Sequence, residues 1–530
     1  MKLSTLLAAL SLSTLSLQAQ AQVKVAVFSL NDFHAGFVRN DSKGIPGAPA
    51  VKQTLDSLKR VYPYHVTVAA GDNFGGSYFY NATHGALLPV FFNDLGIRIS
   101  ALGNHEFDDG QRRLAAKWEN SPLRPAQWDL TYVASNVRNV KEGCIPDFCQ
   151  PVATETIELP NGKKFRIALT GLIASSTPQQ ASKRKLGGLD FDGNYPAVLD
   201  SVMKLPEASL ITDANLRLLL THIGSRMNEN GQPVWDDKDA IRLSQLNDPT
   251  WDGVLSAHSH KEVKGYINEA RYPIVQGGWH GEHIAMLLCT VDPNTMRVTA
   301  IEPQLIKVTP KQVLEKEPAR LQTQIDSLLQ YTRTEGGTPL GEVLTYSAHP
   351  MEHDRNYKFR QTEVGSLICQ AFAHAYRQAA KLDPNTVVIG CSHFGSIRAG
   401  LPQGKITVLD VGEALPFANS LKVYQLTGEQ LMKLVNFGKN NRRYGYLQID
   451  PLKVVQNANN QVTALIYQSP DGKQCVLQPK KKYYLVTDEF ITTGGDGYSP
   501  EFFPPQQEVK TSGMPATTDA FINYLRGRKL

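Results

Sequence analysis

Side chains of the types that bind metal ions follow five short apolar runs in this sequence. The motifs are Asn31-Asp32-Phe33-His34, Gly71-Asp72-Asn73, Gly103-Asn104-His105-Glu106-Phe107-Asp108, Thr221-His222-Ile223-Gly224 and Ala257-His258-Ser259-His260. One such motif is a weak signal, since a lone His beside a strand is more often structural. Five in succession are not explained by core packing, because Asp, Asn and His are costly to bury without partners. Two bound cations would supply such partners.

The motifs fall where buried strands are predicted to end. From Val23 to about Ile306, helical stretches alternate with apolar runs rich in branched residues: Val23–Leu30, His65–Ala70, Arg98–Leu102, Leu130–Asn136, Phe165–Leu172, Arg217–Leu220 and Gly253–Ala257. This alternation predicts an α/β or mixed sandwich domain. Because loops at the carboxyl edge of such a sheet converge on one crevice, we expect the five motifs to meet there.

The pattern changes after Pro310, where apolar residues at near-helical spacing among charged ones predict an amphipathic helix that ends at Gly336. A second set of elements follows, with strands predicted at Thr386–Gly390, Leu421–Gln425 and Tyr483–Thr487 and helices at Val364–Ala379 and Gly428–Asn436. We therefore expect a first domain over residues 22–310, a connector helix over 311–337 and a smaller α/β domain over 338–530.

The composition excludes several classes of protein. With 20% charged and 42% hydrophobic residues, the 530-residue chain has the make-up of an ordinary globular protein. Its net charge of +5 is small, and it has no run of Lys and Arg of the kind that binds nucleic acid. No segment after the first 21 residues has 18 consecutive apolar residues, so no integral membrane segment is expected there. The oligomeric state is left open.

The N-terminal residues predict export. Lys2 precedes the apolar run Leu3–Leu17, and Ala19 and Ala21 fit the small-x-small pattern that signal peptidase cleaves. We expect a signal peptide over residues 1–21 and a periplasmic or cell-surface location. In such a compartment disulfides can form, and Cys144 with Cys149 and Cys369 with Cys391 are the plausible pairs among the six cysteines.

Taken in order, the five motifs resemble those of the calcineurin-like metallophosphoesterases. The Gly103–Asp108 stretch narrows the resemblance to the 5′-nucleotidase family, which includes bacterial periplasmic UDP-sugar hydrolases. Four segments of the second half support this resemblance: Gln361–Gly365, Gly395–Arg398, Leu415–Asn419 and Phe490–Tyr498. It implies a four-layer β-sandwich flanked by helices, followed by a smaller α/β substrate-binding domain.

The resemblance implies a two-metal phosphohydrolase. By position, one metal would be held by Asp32, His34 and His260, the other by Asn104, His222 and His258, and Asp72 would bridge them. Carboxylate, amide and imidazole ligands together suit two divalent ions such as Zn²⁺, Mn²⁺ or Co²⁺. His105 would stabilise the transition state, oriented by Asp108.

The resemblance also implies a nucleotide as the small-molecule substrate. Phe417 and Phe490 would sandwich the base, while Asn419 and Asp496 would meet polar substrate groups and Arg398 would hold phosphate. His393 stands where the family usually has Asn at the base edge. Lys358 stands in the register of a phosphate-binding Arg, a role that Arg355 or Arg360 could also take.

Other activities could use the same centre. Cleavage of UDP-sugars or NAD at the pyrophosphate, or of cyclic nucleotides, would differ only in the pocket. A thiosulfohydrolase shares a similar fold but is disfavoured by the aromatic pair. A surface nucleotide-binding protein without activity is disfavoured because every metal ligand and the His105/Asp108 pair are present.

Overall fold

A computed structural model describes residues 22–116, 119, 121, 123–180, 183–236, 241–334, 336–353, 360–442, 444–469 and 472–530. The predicted signal peptide and the predicted substrate residues Arg355 and Lys358 lie outside the described residues. Within these ranges, every helix is too short or too polar to cross a membrane.

Two large sheets form the first half of the molecule. One has seven strands in the spatial order Arg297–Lys307, His283–Asp292, Val23–Leu30, His65–Ala69, Ile97–Ala101, Thr131–Val133 and Cys149–Gln150. The other has six, in the order Glu262–Ile267, Tyr272–Gly277, Gly253–Leu255, Leu216–His222, Lys164–Ile173 and Val152–Glu158. The central strands of each sheet run parallel, which suits their apolar, branched sequences.

The sheets pack face to face. Val25 and Val27 of one sheet share an apolar core with Leu169 and Leu218 of the other. Helices cover the two outer faces, so the predicted four-layer sandwich is confirmed. The helices of this half are Ala48–Val61, Tyr78–Thr83, Leu88–Leu95, Gln111–Ala116, Thr177–Gln180, Lys183–Leu186, Tyr195–Val202, Ala208–Thr212 and Ile241–Ser244. Two small ribbons pair Val137–Asn139 with Leu189–Phe191 and Ser225–Met227 with Pro233–Trp235.

The predicted connector helix is present as Lys316–Tyr331. It packs on the helix Ala48–Val61, with Leu321 and Ile325 fully buried. At its start, Glu315 accepts hydrogen bonds from Arg60 at 3.0 and 3.2 Å. The segment is therefore fastened to the first half of the molecule, while the exact domain limits remain a prediction.

A smaller sheet organises the second half. Its strands lie in the order Leu421–Thr427, Lys482–Asp488, Val388–Ser392 and Gln448–Asp450. Alternate residues point to opposite faces, so Val388 packs under the helix Glu363–Ala380 and Ile389 packs towards the helix Gly428–Lys439. The remaining elements here are the helices Val408–Ala414, Glu489–Thr492 and Thr517–Leu525, the strand pair Val343–Ser347 and Gly404–Thr407, and the strands Leu452–Gln456, Val462–Gln468 and Gln474–Val476.

The helix Val408–Ala414 joins the two halves. Glu413 Oε1 accepts hydrogen bonds from the backbone N–H groups of Tyr78 (3.0 Å) and Phe79 (3.3 Å) at the start of the helix Tyr78–Thr83. Its other oxygen lies 3.7 Å from Lys43 Nζ. Gly412 allows this approach, because a Cβ there would lie 2.1 Å from the Tyr78 ring.

The predicted disulfides were wrong, since all six cysteines are free. Cys144 is exposed whereas Cys149 is buried in a strand, so the two thiols lie in different environments. Cys369 and Cys391 are both buried, and burial raises the pKa of Cys391 to about 12. Thiolate, the form that enters disulfide exchange, is therefore scarce at that site.

Candidate active site

All five motifs lie at one edge of the sandwich. Asp32 and His34 follow the strand Val23–Leu30, and Asp72 follows the neighbouring parallel strand His65–Ala69. His222 closes the central strand of the second sheet. The structure thus gathers side chains from both sheets, with Asn104, His258 and His260 contributed by the loops that follow Ile97–Ala101 and Gly253–Leu255.

The predicted ligands form two groups that share one carboxylate. Within each group, one possible ligand atom per residue lies within 4.8 Å of the others. The first group comprises Asp32, His34, Asp72 and His260, and the second comprises Asp72, His222 and His258. Asp72 therefore belongs to both groups, and its role as a bridging ligand stays a prediction.

Imidazole nitrogens face one another inside this cluster. His34 Nε2 lies 3.1 Å from His260 Nε2, and His258 Nδ1 lies 3.2 Å from His222 Nε2. The Nδ1 atoms of His34 and His222 instead contact the backbone carbonyls of Gly75 (3.3 Å) and Ala70 (2.9 Å). Such carbonyl contacts fix the tautomer of metal-binding histidines and turn Nε2 towards the cation.

The donor set fits divalent cations. Asn104 Oδ1 is buried and, within the part of the chain that is described, accepts no hydrogen bond. An amide oxygen in that state is costly unless an ion or water satisfies it. The backbone of Gly103 packs tightly against the Asp72 carboxylate, because a Cβ at Gly103 would lie 2.2 Å from Asp72 Oδ1. A cation held by these residues would satisfy the orphaned oxygen and the facing nitrogens together.

Backbone strain is concentrated at the predicted ligands. Five of the seven have left-handed φ angles: Asp32 (48°), His34 (46°), Asp72 (50°), His258 (80°) and His260 (59°). This conformation costs non-glycine residues roughly 1–3 kcal/mol each and persists where surrounding structure enforces it, often at functional sites. The fold therefore holds these side chains inward at an energetic cost.

Charge is divided unevenly among the imidazoles. Burial lowers the pKa of His258 to about 3, with the neighbouring His222 acting in the same direction. Burial also acts to lower the pKa of His222, but Asp72 outweighs it and raises that pKa to about 10. The same imidazole helps to hold the pKa of Asp72 well below its usual range, against its burial. Asp72 thus favours positive charge at His222, which a bound cation would supply in place of the proton.

His105 and Asp108 form the predicted pair. His105 Nδ1 donates to Asp108 Oδ2 at 2.8 Å, and Asp108 Oδ2 also accepts the backbone N–H of Gly76 at 3.3 Å. Burial acts to lower the pKa of His105, but Asp72 and Asp108 together raise it to about 9. The side chain is 32% exposed, so the imidazole lies at the accessible side of the cluster.

Glu106 is a site residue whose role the sequence did not reveal. It is 1% exposed, and its carboxylate accepts the backbone N–H groups of Asp72 (2.8 Å), Asn73 (2.9 Å) and Gly103 (2.6 Å). It therefore ties together the two loops that carry Asp72 and Asn104. The signal was available, because Glu106 lies inside the Gly103–Asp108 motif.

Trp279 was also missed. Its ring stacks on His260 with centroids 5.1 Å apart and an interplanar angle of 20°, and it lies 4.2 Å from the His280 ring. His280 Nδ1 in turn lies 3.1 Å from the backbone oxygen of Phe33. These residues pack around the cluster from the loop after Tyr272–Gly277, where no sequence motif marked them.

Four of the predicted substrate residues lie on loops of the second half. Phe417 is 45% exposed, and the Arg398 guanidinium lies 5.8 Å from its ring centre. Asn419 is held two residues further on, where its N–H donates to Phe417 O at 2.8 Å. Arg360 is exposed near the start of the helix Glu363–Ala380.

The other predicted substrate residues form a second group. Phe490 is 42% exposed, and one face of its ring stacks on His393 at a centroid distance of 4.8 Å. His393 Nδ1 lies 2.6 Å from Asp496 Oδ2. Half-exposed aromatic faces of this kind are typical of binding surfaces.

Two family profiles match the chain. The profile of the calcineurin-like phosphoesterases matches residues 26–262, and that of the 5′-nucleotidase C-terminal domain matches residues 342–502. The chain therefore belongs to the 5′-nucleotidase family of calcineurin-like phosphoesterases, and it is a phosphoesterase hydrolase. The predicted family and enzyme class are confirmed.

Individual relatives are distant but nearly full-length. An apyrase of Tabanus yao is 24% identical over 510 residues, which are 90% of this chain and 86% of the relative. The crystal structure of a 5′-nucleotidase precursor from Thermus thermophilus has a TM-score of 0.63 at 20% identity, covering 96% of this chain and 97% of that one. A sulfate thiohydrolase from the same species has a TM-score of 0.60 at 14% identity, covering 96% and 94%. These two structures support the fold alone.

Proposed function

We propose that this chain is an exported hydrolase that removes the 5′-phosphate of nucleotides with the help of two divalent cations. The observation that carries the proposal is the buried cluster in which two groups of ligands share Asp72. The half-exposed rings of Phe417 and Phe490 support a nucleotide as the substrate, because aromatic faces stack on bases with about 1–3 kcal/mol per base.

The proposed metal ligands are divided between two cations as the family resemblance implies. Asp32, His34 and His260 would hold one cation, Asn104, His222 and His258 the other, and Asp72 both. Zn²⁺, Mn²⁺ and Co²⁺ are the ions that best suit these donors. When bound, a pair of such cations makes water a nucleophile at neutral pH and neutralises charge on phosphoryl oxygens.

The protein's own contribution to the reaction centres on His105. Its Nδ1 is engaged by Asp108, so Nε2 is the ring atom left to meet the phosphoryl group. Because Asp108 accepts this hydrogen bond from Nδ1, it favours the charged form of the imidazole. A proton held there stabilises negative charge as it develops on the phosphoryl oxygens and leaving group.

The second half would bind the nucleoside and phosphate. Phe417 and Phe490 would stack on the base, Arg398 and Arg360 would pair with phosphate, and Asn419 and Asp496 would meet polar groups of the substrate. The contact between Arg398 and the Phe417 ring supports this division, because it places a cation beside a base-stacking surface.

Export is supported by the sequence of the first 21 residues, and the first described strand begins at Val23, just after the proposed cleavage point. Expression in a bacterial host followed by N-terminal sequencing of the secreted or periplasmic fraction tests this. A mature chain that begins at Gln22 is expected. Retention of residues 1–21 in the cytoplasmic fraction would contradict it.

The substrate class is tested by phosphate release from purified, metal-loaded protein. AMP, UMP, UDP-glucose, NAD and a bare aryl phosphate are compared with and without a chelator, and nucleoside products are detected separately. We expect chelator-sensitive turnover of AMP and UMP with kcat/KM well above that of the aryl phosphate. Preference for UDP-glucose or NAD would instead indicate pyrophosphate cleavage, and hydrolysis of the aryl phosphate alone would exclude a nucleotide substrate.

A further inference from the structure

His393 is enclosed by the residues that would bind the substrate. It follows the strand Val388–Ser392, and its side chain is only 7% exposed. The imidazole ring lies against Phe490 with centroids 4.8 Å apart and planes 24° apart. Its Nδ1 lies 2.6 Å from Asp496 Oδ2. One side chain thus contacts both the aromatic face and the carboxylate of the proposed pocket.

Both ring nitrogens of His393 face carboxylates. Because a carboxylate only accepts hydrogen bonds, Nδ1 carries the proton that Asp496 accepts. Nε2 is 3.9 Å from Asp488 Oδ2, a buried oxygen that has no hydrogen-bond partner among the described residues. The Nδ1 edge of the imidazole is therefore held by Asp496, and its Nε2 edge faces the buried carboxylate of Asp488.

The two residues that His393 contacts come from a segment that needs support. Phe490 lies in the four-residue helix Glu489–Thr492, and Asp496 has a left-handed φ of 50° in the following turn. Phe490 leaves 42% of its surface open to solvent, whereas His393 covers one face of its ring. A short helix and a strained turn would not by themselves fix the direction of these side chains.

We propose that His393 is a positioning residue that fixes Phe490 and Asp496 for the nucleoside and does not read the base edge itself. This role differs from that of the Asn that the family usually has at the base edge in the position of His393. The inference rests on the proposed function, since it concerns how the same pocket holds a nucleotide. Its consequence is that the contribution of His393 to binding is independent of which base is bound.

Two substitutions separate the two contacts. His393→Asn keeps an N–H donor near the position of Nδ1 but removes the ring behind Phe490. His393→Phe keeps a ring stacked on Phe490 but removes the donor to Asp496. We expect each to raise KM for AMP and UMP by about tenfold, by the same factor for both bases and with kcat within about twofold of wild type.

His374 provides a matched control. It lies on the helix Glu363–Ala380 against Tyr524, away from the proposed pocket, so His374→Asn is expected to leave KM for AMP unchanged. Turnover of the aryl phosphate, which carries no nucleoside, reports in the same preparations whether the metal centre remains intact. Its kcat is expected to stay within about twofold of wild type in both His393 variants.

Three results would overturn the proposal. Unchanged KM values in both variants would show that His393 positions nothing in the pocket. Losses for AMP and UMP that differ by more than about tenfold would show that His393 reads the base. An equal loss of activity with the aryl phosphate would show that His393 supports the fold and has no specific role in nucleotide binding. Failure of the proposed function is seen separately, because the wild-type protein would then not prefer AMP or UMP over the aryl phosphate.

Discussion

The proposed metal centre and the proposed substrate pocket are built in different ways. The predicted metal ligands lie at or just beyond strand ends, and Asp32, Asp72 and His222 are at most 2% exposed. The proposed pocket residues lie on loops, a four-residue helix and a turn, and the two aromatic residues are 45% and 42% exposed. Buried charged side chains need partners of opposite charge, such as bound cations. A surface that binds a substrate instead keeps its aromatic faces accessible.

This difference separates what each region should control. Changes in the metal centre should affect the hydrolysis of every phosphate ester. Changes in the pocket should affect nucleotides and leave a bare aryl phosphate unaltered. Comparison of these two substrates in each variant therefore tests whether the division is real.

The largest effect is expected from Asp72→Ala. Because Asp72 belongs to both groups of ligands, its loss should lower kcat/KM by more than about 1,000-fold for AMP and for the aryl phosphate alike. Steady-state kinetics at saturating metal measures this. Asp326→Ala on the connector helix is the control, since Asp326 is exposed and distant in sequence from every ligand. A loss of kcat/KM with AMP but not with the aryl phosphate would contradict the proposed division between the metal centre and the pocket.

A smaller effect is expected at His105. His105→Asn should lower kcat by about 100- to 1,000-fold for both substrates with little change in KM, because the proton it holds acts on the developing charge. Asp108→Asn should lower kcat by about tenfold, since Asp108 acts through His105. A raised KM with unchanged kcat in either variant would place the pair in binding.

The pocket should show the opposite pattern. Phe417→Leu and Phe490→Leu should each raise KM for AMP by about tenfold through the loss of base stacking, with kcat for the aryl phosphate unchanged. Tyr331→Leu is a control at another exposed aromatic, 68% exposed at the end of the connector helix. Equal losses on both substrates would mean that these rings support the fold.

The smallest effect is expected at the contact between the two halves. Glu413→Ala removes the acceptor for the N–H groups of Tyr78 and Phe79, so it should raise KM for AMP by roughly threefold. Glu413→Gln keeps an acceptor oxygen but loses the charge that faces Lys43, and it should stay closer to wild type. If Gln were as impaired as Ala, the ion pair rather than the helix contact would join the halves.

Much of the fold could be predicted because local pattern and tertiary role agree. The strand Val23–Leu30 begins and ends where its apolar run does, and the connector helix and the helix Glu363–Ala380 follow their periodicity closely. The predicted metal ligands could be expected together because each lies at or just after the end of a strand with at least one parallel neighbour. Where parallel strands lie side by side, position in sequence nearly determines position at the sheet edge.

The rest depends on contacts that sequence spacing does not encode. The left-handed backbone of His258 and the stacking of Trp279 on His260 arise only when distant loops pack together. His393 occupies a predicted pocket position but turns both nitrogens towards carboxylates. The residue types predicted that these positions could form polar or aromatic contacts. Which partners they contact depends on the tertiary structure.

The most direct test of the account is the metal content of the purified protein. After loading with Zn²⁺, Mn²⁺ or Co²⁺ and removal of excess ion, elemental mass spectrometry should find about two ions per chain. The Asp72→Ala variant, with its fold checked by circular dichroism, should retain fewer than one. A single ion in the wild-type protein, or two ions retained without Asp72, would contradict a centre built from two sites that share this carboxylate.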